Sequence, residues 1–186
     1  MATQLLPARP LLAIACLLLG TALGGCLRNV QPIQPVAHVD LEHFMGRWYV
    51  IASIPTFLEK DAFNAVESYA LRPDGRVQTT FSYRKGGFDG APKVLHPIGT
   101  VRAGSGGAVW DMQFVWPISA EYVVAYLDAD YRQTIIGRSA RDHVWIMART
   151  PRIPAEDYAA LLRRVGELGY RVEDIREVPQ RWPDAP

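Results

Sequence analysis

Residues 43–52 read HFMGRWYVIA, with Gly46, Arg47 and Trp48 directly before an apolar run. The aromatic and β-branched residues that follow read as a strand. Trp48 is the largest side chain to be placed. Gly46, two residues ahead of it, marks a point where something bulky comes close to the backbone, since only glycine lacks a Cβ there. What Trp48 packs against decides the fold.

Working outward from this strand, residues 47–149 show short strands and turns without helix-length apolar periodicity. Eight strand candidates appear, at 47–54, 65–71, 77–83, 93–102, 109–116, 122–127, 132–137 and 143–149. RPDGR (72–76) is a hairpin turn in which proline presets φ and glycine takes the left-handed position. In the third strand Val77, Thr79, Phe81 and Tyr83 share one face, and Gln78, Thr80, Ser82 and Arg84 the other, the alternation of a half-buried strand. KGGFDGAP ends it, and Pro97 predicts a bulge or irregular edge in the fourth. The fifth, VWDMQFVW, puts Trp110, Met112, Phe114 and Trp116 on one face. Short spacings make successive strands antiparallel neighbours. Eight in a meander is the number that closes into a barrel and removes the open edges of a sheet.

One helix follows. Pro154 opens it, Glu156 and Asp157 lie in its first turn, and Arg163 and Arg164 lie near its end, an order that suits the helix dipole. Tyr158, Leu161, Leu162, Val165 and Leu168 form one apolar stripe, and Gly169 is a C-cap candidate. Such a stripe has to lie on something, and the outer barrel wall is the expected partner. YRVEDIREV (170–178) offers one more short strand.

The N-terminus has a different character. Residues 11–19 form an apolar core that fits a signal peptide and is short for a spanning helix. Residues 23–26, LGGC, resemble the lipobox of bacterial lipoproteins, with Gly24 where alanine or serine is commoner. That resemblance implies a cut before Cys26 and a lipid such as palmitate on it. Of the two cysteines, Cys16 falls inside the signal, so Cys26 would be the only one kept and no internal disulfide can form. By the same resemblance, Leu27 after the cysteine points to the bacterial outer membrane. Residues 26–38, with Pro32 and Pro35, read as a tether. The expected organisation is therefore signal peptide 1–25, tether 26–38 and barrel domain 39–182. The chain has 20 basic and 19 acidic residues with no basic stripe, which argues against a nucleic-acid partner.

Three blocks carry a family resemblance. VDLEHFMGRWYVIA (39–52) resembles the first lipocalin block, YVVAYLDADYRQTIIG (122–137) the second, and VWIMARTPRI (144–153) the third. In the second, LDADY replaces the more usual Thr-Asp-Tyr, and Asp128 and Tyr131 can still make the turn. The chain is similar to the lipocalins, and within them to the bacterial outer-membrane lipoprotein branch related to apolipoprotein D. The resemblance implies an all-β fold: an eight-stranded antiparallel up-and-down barrel with a C-terminal helix packed on its outside. It also implies that Arg149 lies across Trp48, above Gly46, and closes the barrel floor. These three are then structural residues.

Little in the chain reads as catalytic. There is no Gly-x-Ser-x-Gly elbow, and AGSGG (103–107) lies between strands rather than before a helix. His38, Asp40, Glu42 and His43 read as a solvated segment rather than a metal site, and Asp142 with His143 as a surface pair. No cofactor and no metal are expected. With Trp48 and Arg149 inward, strand parity turns Trp145 and Met147 inward too. Tyr69, Phe81, Tyr83, Trp110, Met112, Phe114 and Trp116 join them, and on the sixth strand Tyr122 and Tyr126 are taken as inward. These eleven are the candidate ligand-binding residues. PTFLEKDAFN (55–64) would overhang the mouth, with Phe57 and Phe63 as lid residues, and Lys60 or Arg84 could meet an acidic head group, though solvated side chains are their simpler reading.

The expected function is non-covalent burial of a hydrophobic small molecule, a fatty acid or lysophospholipid by resemblance, in a barrel held to the membrane by the N-terminal lipid. A lipid-acting enzyme and a structural envelope protein with a filled barrel are the alternatives. The sequence leaves the oligomeric state open, a homodimer included.

Overall fold

The structure, a computed structural model, describes residues 31–183. Strand β1 (Gly46–Ile54) pairs through its first half with β2 (Ala62–Leu71), setting Gly46 opposite Tyr69 and Trp48 opposite Glu67. β2 turns into β3 (Val77–Lys85) through the expected hairpin, where Gly75 has φ +77°. β3 is covered by two short strands, β4 (Pro92–Leu95) and β5 (Ile98–Val101). These are the halves of the predicted fourth strand, interrupted at Pro97, which has no N–H to give to a ladder. Its carbonyl still accepts from Thr79 N–H at 3.0 Å.

β6 (Val109–Val115), β7 (Ile118–Leu127), β8 (Gln133–Gly137) and β9 (Val144–Ala148) follow, each antiparallel to the one before. β9 then pairs with β1 and closes the sheet. With β4 and β5 counted as one interrupted strand, this is the eight-stranded barrel the sequence predicts. The tail strand β10 (Arg176–Glu177) joins β1 at Ala52 and Ser53, beyond the point where β2 leaves it. The second block makes its turn as expected: Tyr131 N–H donates to Asp128 O at 3.0 Å.

Two cores result from the alternation of the strands. Inward residues such as Trp48, Val50, Tyr69, Val77, Phe81, Trp110, Val124 and Met147 fill the barrel. Outward residues including Ala52, Val123, Ile135, Val144 and Ile146 meet Leu161 and Val165 of helix α2 (Ala155–Glu167). Burial of each of these two helix side chains contributes about 1.5–3 kcal/mol. Pro154 caps the start of α2, and Gly169 just past its end has φ +89°.

The segment read as a tether behaves otherwise where it is described. Ile33 is buried in the outer core beside Tyr170, and Val36 N–H donates to Val124 O at 2.9 Å. Val39 follows, buried, and Asp40 caps the one-turn helix α1 (Leu41–Phe44), which carries Phe44 into the bottom of the barrel. The apolar residues spaced along 33–39 explain the packing: the barrel supplies the surface they lack among themselves. Residues 1–25 and Cys26 lie outside the described residues.

Candidate ligand site

The floor comes first. Trp48 is fully buried, and its indole N–H donates to Phe44 O at 2.9 Å. The Arg149 guanidinium lies 3.8 Å from the centre of the Trp48 ring. It donates to four carbonyl oxygens, those of His43 (2.7 Å), Arg47 (3.0 Å), Phe44 (3.1 Å) and Tyr131 (3.1 Å). A stacked cation of this kind contributes on the order of 1–2 kcal/mol. Burial pulls the Arg149 guanidinium below the usual arginine range. Gly46 has φ +92°, a conformation that side-chain-bearing residues rarely adopt, and a Cβ there would stand 3.4 Å from Arg149 Nη1. Above this lid on the bottom, Phe44, Tyr69, Trp110 and Tyr122 pack as a solid aromatic layer, with Trp110 and Tyr122 stacked at 4.8 Å.

Above that layer is a cavity of about 50 Å³. Phe81, Met112, Phe114, Tyr122 and Trp145 form its apolar wall, and Thr56, Glu59 and Glu67 its polar side. A larger groove of about 530 Å³ lies outside the barrel, between the start of α2 and the tail around Val178, and is open to solvent. The enclosed interior space is the better candidate, because enclosure is what removes a ligand's surface from water.

Two carboxylates shape this cavity. Glu67 points inward from β2 and accepts from the Tyr69 hydroxyl, which lies 2.7 Å from the Tyr122 hydroxyl. Burial pushes the Glu67 carboxyl up to about 7, partly offset by the Tyr69 hydrogen bond, and the nearby charge of Glu59 adds to the rise. Its partial exposure is to the cavity it lines. Glu59, in the segment after β1, accepts from Trp145 Nε1 at 2.8 Å and from the Thr56 hydroxyl at 3.0 Å. Burial raises its carboxyl too. Desolvation disfavours the charged form of both.

The eleven expected ligand residues separate into three groups. Phe81, Met112, Phe114, Tyr122 and Trp145 line the cavity. Tyr69, Trp110 and Met147 are inside the barrel but packed into the filled layer, and Tyr83 is buried, its hydroxyl donating to Leu58 O at 2.8 Å. Trp116 and Tyr126 are corrections. A register shift between Gln113 and Val115 breaks the alternation of β6, and Trp116 stands 80% exposed at the rim. A shift between Val124 and Tyr126 does the same in β7, so Tyr126 faces outward into the helix-side core, with Arg164 4.4 Å above its ring. A bulge places two residues against one and turns every later side chain to the other face.

Of the lid candidates, Phe57 is 88% exposed at the rim, whereas Phe63 packs edge-on against Phe88 at 5.1 Å. Lys60 and Arg84 are both exposed, and neither lines the cavity. Asp40 caps α1 and contacts His43 at 3.3 Å, and no group of three or more potential metal ligands occurs among the described residues. Sequence reasoning missed Glu59 and Glu67. Glu67 was within reach, since it shares the inward parity of Tyr69; Glu59 lies in a loop, where periodicity says nothing.

The lipocalin-like domain family matches residues 39–180 of the chain. Temperature-induced lipocalin-1 of Arabidopsis thaliana is 31% identical over 81% of this chain and 84% of its own length. Outer membrane lipoprotein Blc of Escherichia coli is 27% identical over 80% of this chain and 83% of its own, and bovine apolipoprotein D is 30% identical over 72% and 71%. Among solved structures, insecticyanin from the tobacco hornworm superposes with a TM-score of 0.63 at 14% identity, covering 82% of this chain and 85% of that one.

Proposed function

The chain belongs to the lipocalin-like domain family, and from that premise we propose that it is a bacterial outer-membrane lipoprotein, lipidated at Cys26, that binds and stores or carries an acyl-chain amphiphile, a fatty acid or lysophospholipid, at the open end of its barrel. The observation that carries this reading is the cavity walled by Phe81, Met112, Phe114, Tyr122 and Trp145 above a sealed floor. The bacterial relatives named as outer membrane lipoproteins support the anchor and the location. The reading is of a binding protein, not an enzyme. Each CH₂ taken from water contributes about 0.8 kcal/mol, so affinity grows with chain length without a specific contact. Ligand pockets span roughly 300–1,000 Å³, so a whole chain enters the barrel only by displacing the segment 55–61, whose Thr56 and Glu59 line the cavity. Titration of the full-length protein with a fluorescent fatty acid is expected to saturate, and Trp145→Ala to change the affinity severalfold. Absence of saturable binding by any apolar probe would overturn the reading.

A second reading has one observation in its favour. The cavity itself holds only about 50 Å³ of free space, as expected of an envelope protein whose barrel is filled for stability alone. The same titration separates the two, because a filled barrel gives no saturation.

A further inference from the structure

The polar groups of the cavity are arranged in an unusual order. Its inner end is acidic, and its rim is apolar. Phe57, Trp116 and Ile118 are 88%, 80% and 71% exposed at the mouth, with Phe114 half-exposed below them. At the inner end, Tyr69 spends its only hydroxyl proton on Glu67, and Tyr122 then has Tyr69 as its acceptor. Two acceptor positions remain: the second carboxylate oxygen of Glu67, which has no hydrogen-bond partner among the described residues, and the Tyr122 oxygen. Neither Glu67 nor Glu59 forms an ion pair among the described residues.

Other charged groups also border the space. Arg138 is one; its Nη1 is held by Asp142 at 3.0 Å, and its buried Nε has no hydrogen-bond partner among the described residues. Glu121 also borders it and faces Arg102 at 3.5 Å. His143 lies beyond Trp145, near enough to influence Glu59, and Tyr83 is turned to Leu58 O. A ligand group that reaches the bottom therefore meets acceptors and negative charge. Glu59, Glu67 and Glu121 against Arg138 leave an inserted carboxylate beside an excess of acidic groups, and an inserted methyl leaves the free oxygen of Glu67 without a partner.

We propose that Glu67, with Tyr122, recognises an inserted ammonium group, so that the barrel selects amphiphiles bearing a protonated amine and takes them amine first. Their chain then runs outward across Phe114 and the rim of Phe57, Trp116 and Ile118. This rests on the reading that the cavity takes an acyl-chain amphiphile, but it puts an amine in place of the fatty acid or lysophospholipid head group named there, and it fixes the ligand's orientation. Size fits this order. At roughly 10–15 Å³ for each water-sized group, the cavity admits an ammonium and the first few carbons, and the rest of the chain has the exposed rim to lie on. Glu67 binds a cation in its ionised form, so amine affinity rises with pH through the range in which Glu67 ionises.

Calorimetric titration of the full-length protein with octylamine, octanol and octanoate at pH 8 tests this. Octylamine is expected to bind most tightly, and Glu67→Gln to weaken it by roughly tenfold or more, as loss of a charge-assisted hydrogen bond does, while octanol changes little. Octylamine affinity is expected to rise between pH 5.5 and pH 8 and octanol affinity to stay flat. Equal binding of all three probes, or octylamine binding that survives Glu67→Gln, overturns the proposal and leaves the binding reading standing. Binding of none of them overturns both. The variant removes a buried charge and keeps the shape of the side chain, and folding is checked independently through the stacked Trp110–Tyr122 pair by near-ultraviolet circular dichroism.

Discussion

Arg149 sits where a point charge would do less. Its planar fork reaches four carbonyls at 2.7–3.1 Å while its face covers Trp48. A lysine has three donors on a flexible stem and no flat face, so it cannot hold all of these at once. Arg149→Ala leaves those carbonyls short of donors and uncovers Trp48. It is expected to destabilise the barrel by about 2–4 kcal/mol, read by denaturant unfolding, with Arg149→Lys recovering less than half. This contact was expected from the resemblance of the first and third blocks to those of the lipocalins, and strand parity from these two residues carried the inward face on to Met147 and Trp145. Glu67 was legible from the parity of Tyr69 on β2 and was passed over. Its environment, not its position, is what periodicity leaves out.

At the scale of elements, the strands and helix followed from alternation and punctuation, whereas the register shifts did not. A bulge adds a residue without changing composition, so the shifts at 113–115 and 124–126 left no mark in the pattern and misplaced Trp116 and Tyr126. The segment between β1 and β2 was equally opaque. Its bonds to the rest of the barrel include Trp145 Nε1 to Glu59, Tyr83 hydroxyl to Leu58 O, Gly86 N–H to Asp61 O and Arg176 Nη1 to Glu59 O, and the Thr56 hydroxyl bonds Glu59 within it. If that segment is the lid that a ligand must move, removing one contact should loosen it without unfolding the barrel. Trp145→Phe keeps an aromatic wall and deletes one donor. Amides of Glu59 and Ala62, which bond to Thr56 O and Glu59 O, are expected to exchange with solvent faster in this variant. Amides of β8 and β9 keep their protection, as local opening differs from global unfolding. Equal protection of Glu59 and Ala62 in both proteins would show that the segment is held by something else.

Across the whole molecule, the barrel is divided by height. A sealed floor and a solid aromatic layer hold the lower part together, and the cavity with its two buried acids occupies the top. The division has a consequence for stability against pH. Glu67 titrates near 7 in the folded protein against 4.5 for the unfolded chain, and burial raises Glu59 as well. Between these values the folded state binds more protons than the unfolded one, so stability falls as pH rises through that window and levels above it. The contribution of Glu67 is present in full below pH 4.5 and is lost by about pH 7–8. It amounts to no more than roughly 3 kcal/mol, or on the order of 5–10 °C in melting temperature for a domain of this size. The carboxylates whose ionisation is favoured, Asp40, Asp74, Asp111 and Glu173, act in the opposite sense and only at lower pH. The protein is therefore expected to melt higher at pH 5 than at pH 8. Glu67→Gln cannot ionise, so it should match the parent at pH 5 and exceed it at pH 8. An ammonium beside Glu67 stabilises the ionised form, so saturating octylamine should restore at pH 8 the melting temperature that ionisation removed. Parallel melting profiles for the parent and Glu67→Gln across this range would place the carboxyl in contact with water rather than at the inner end of an apolar cavity.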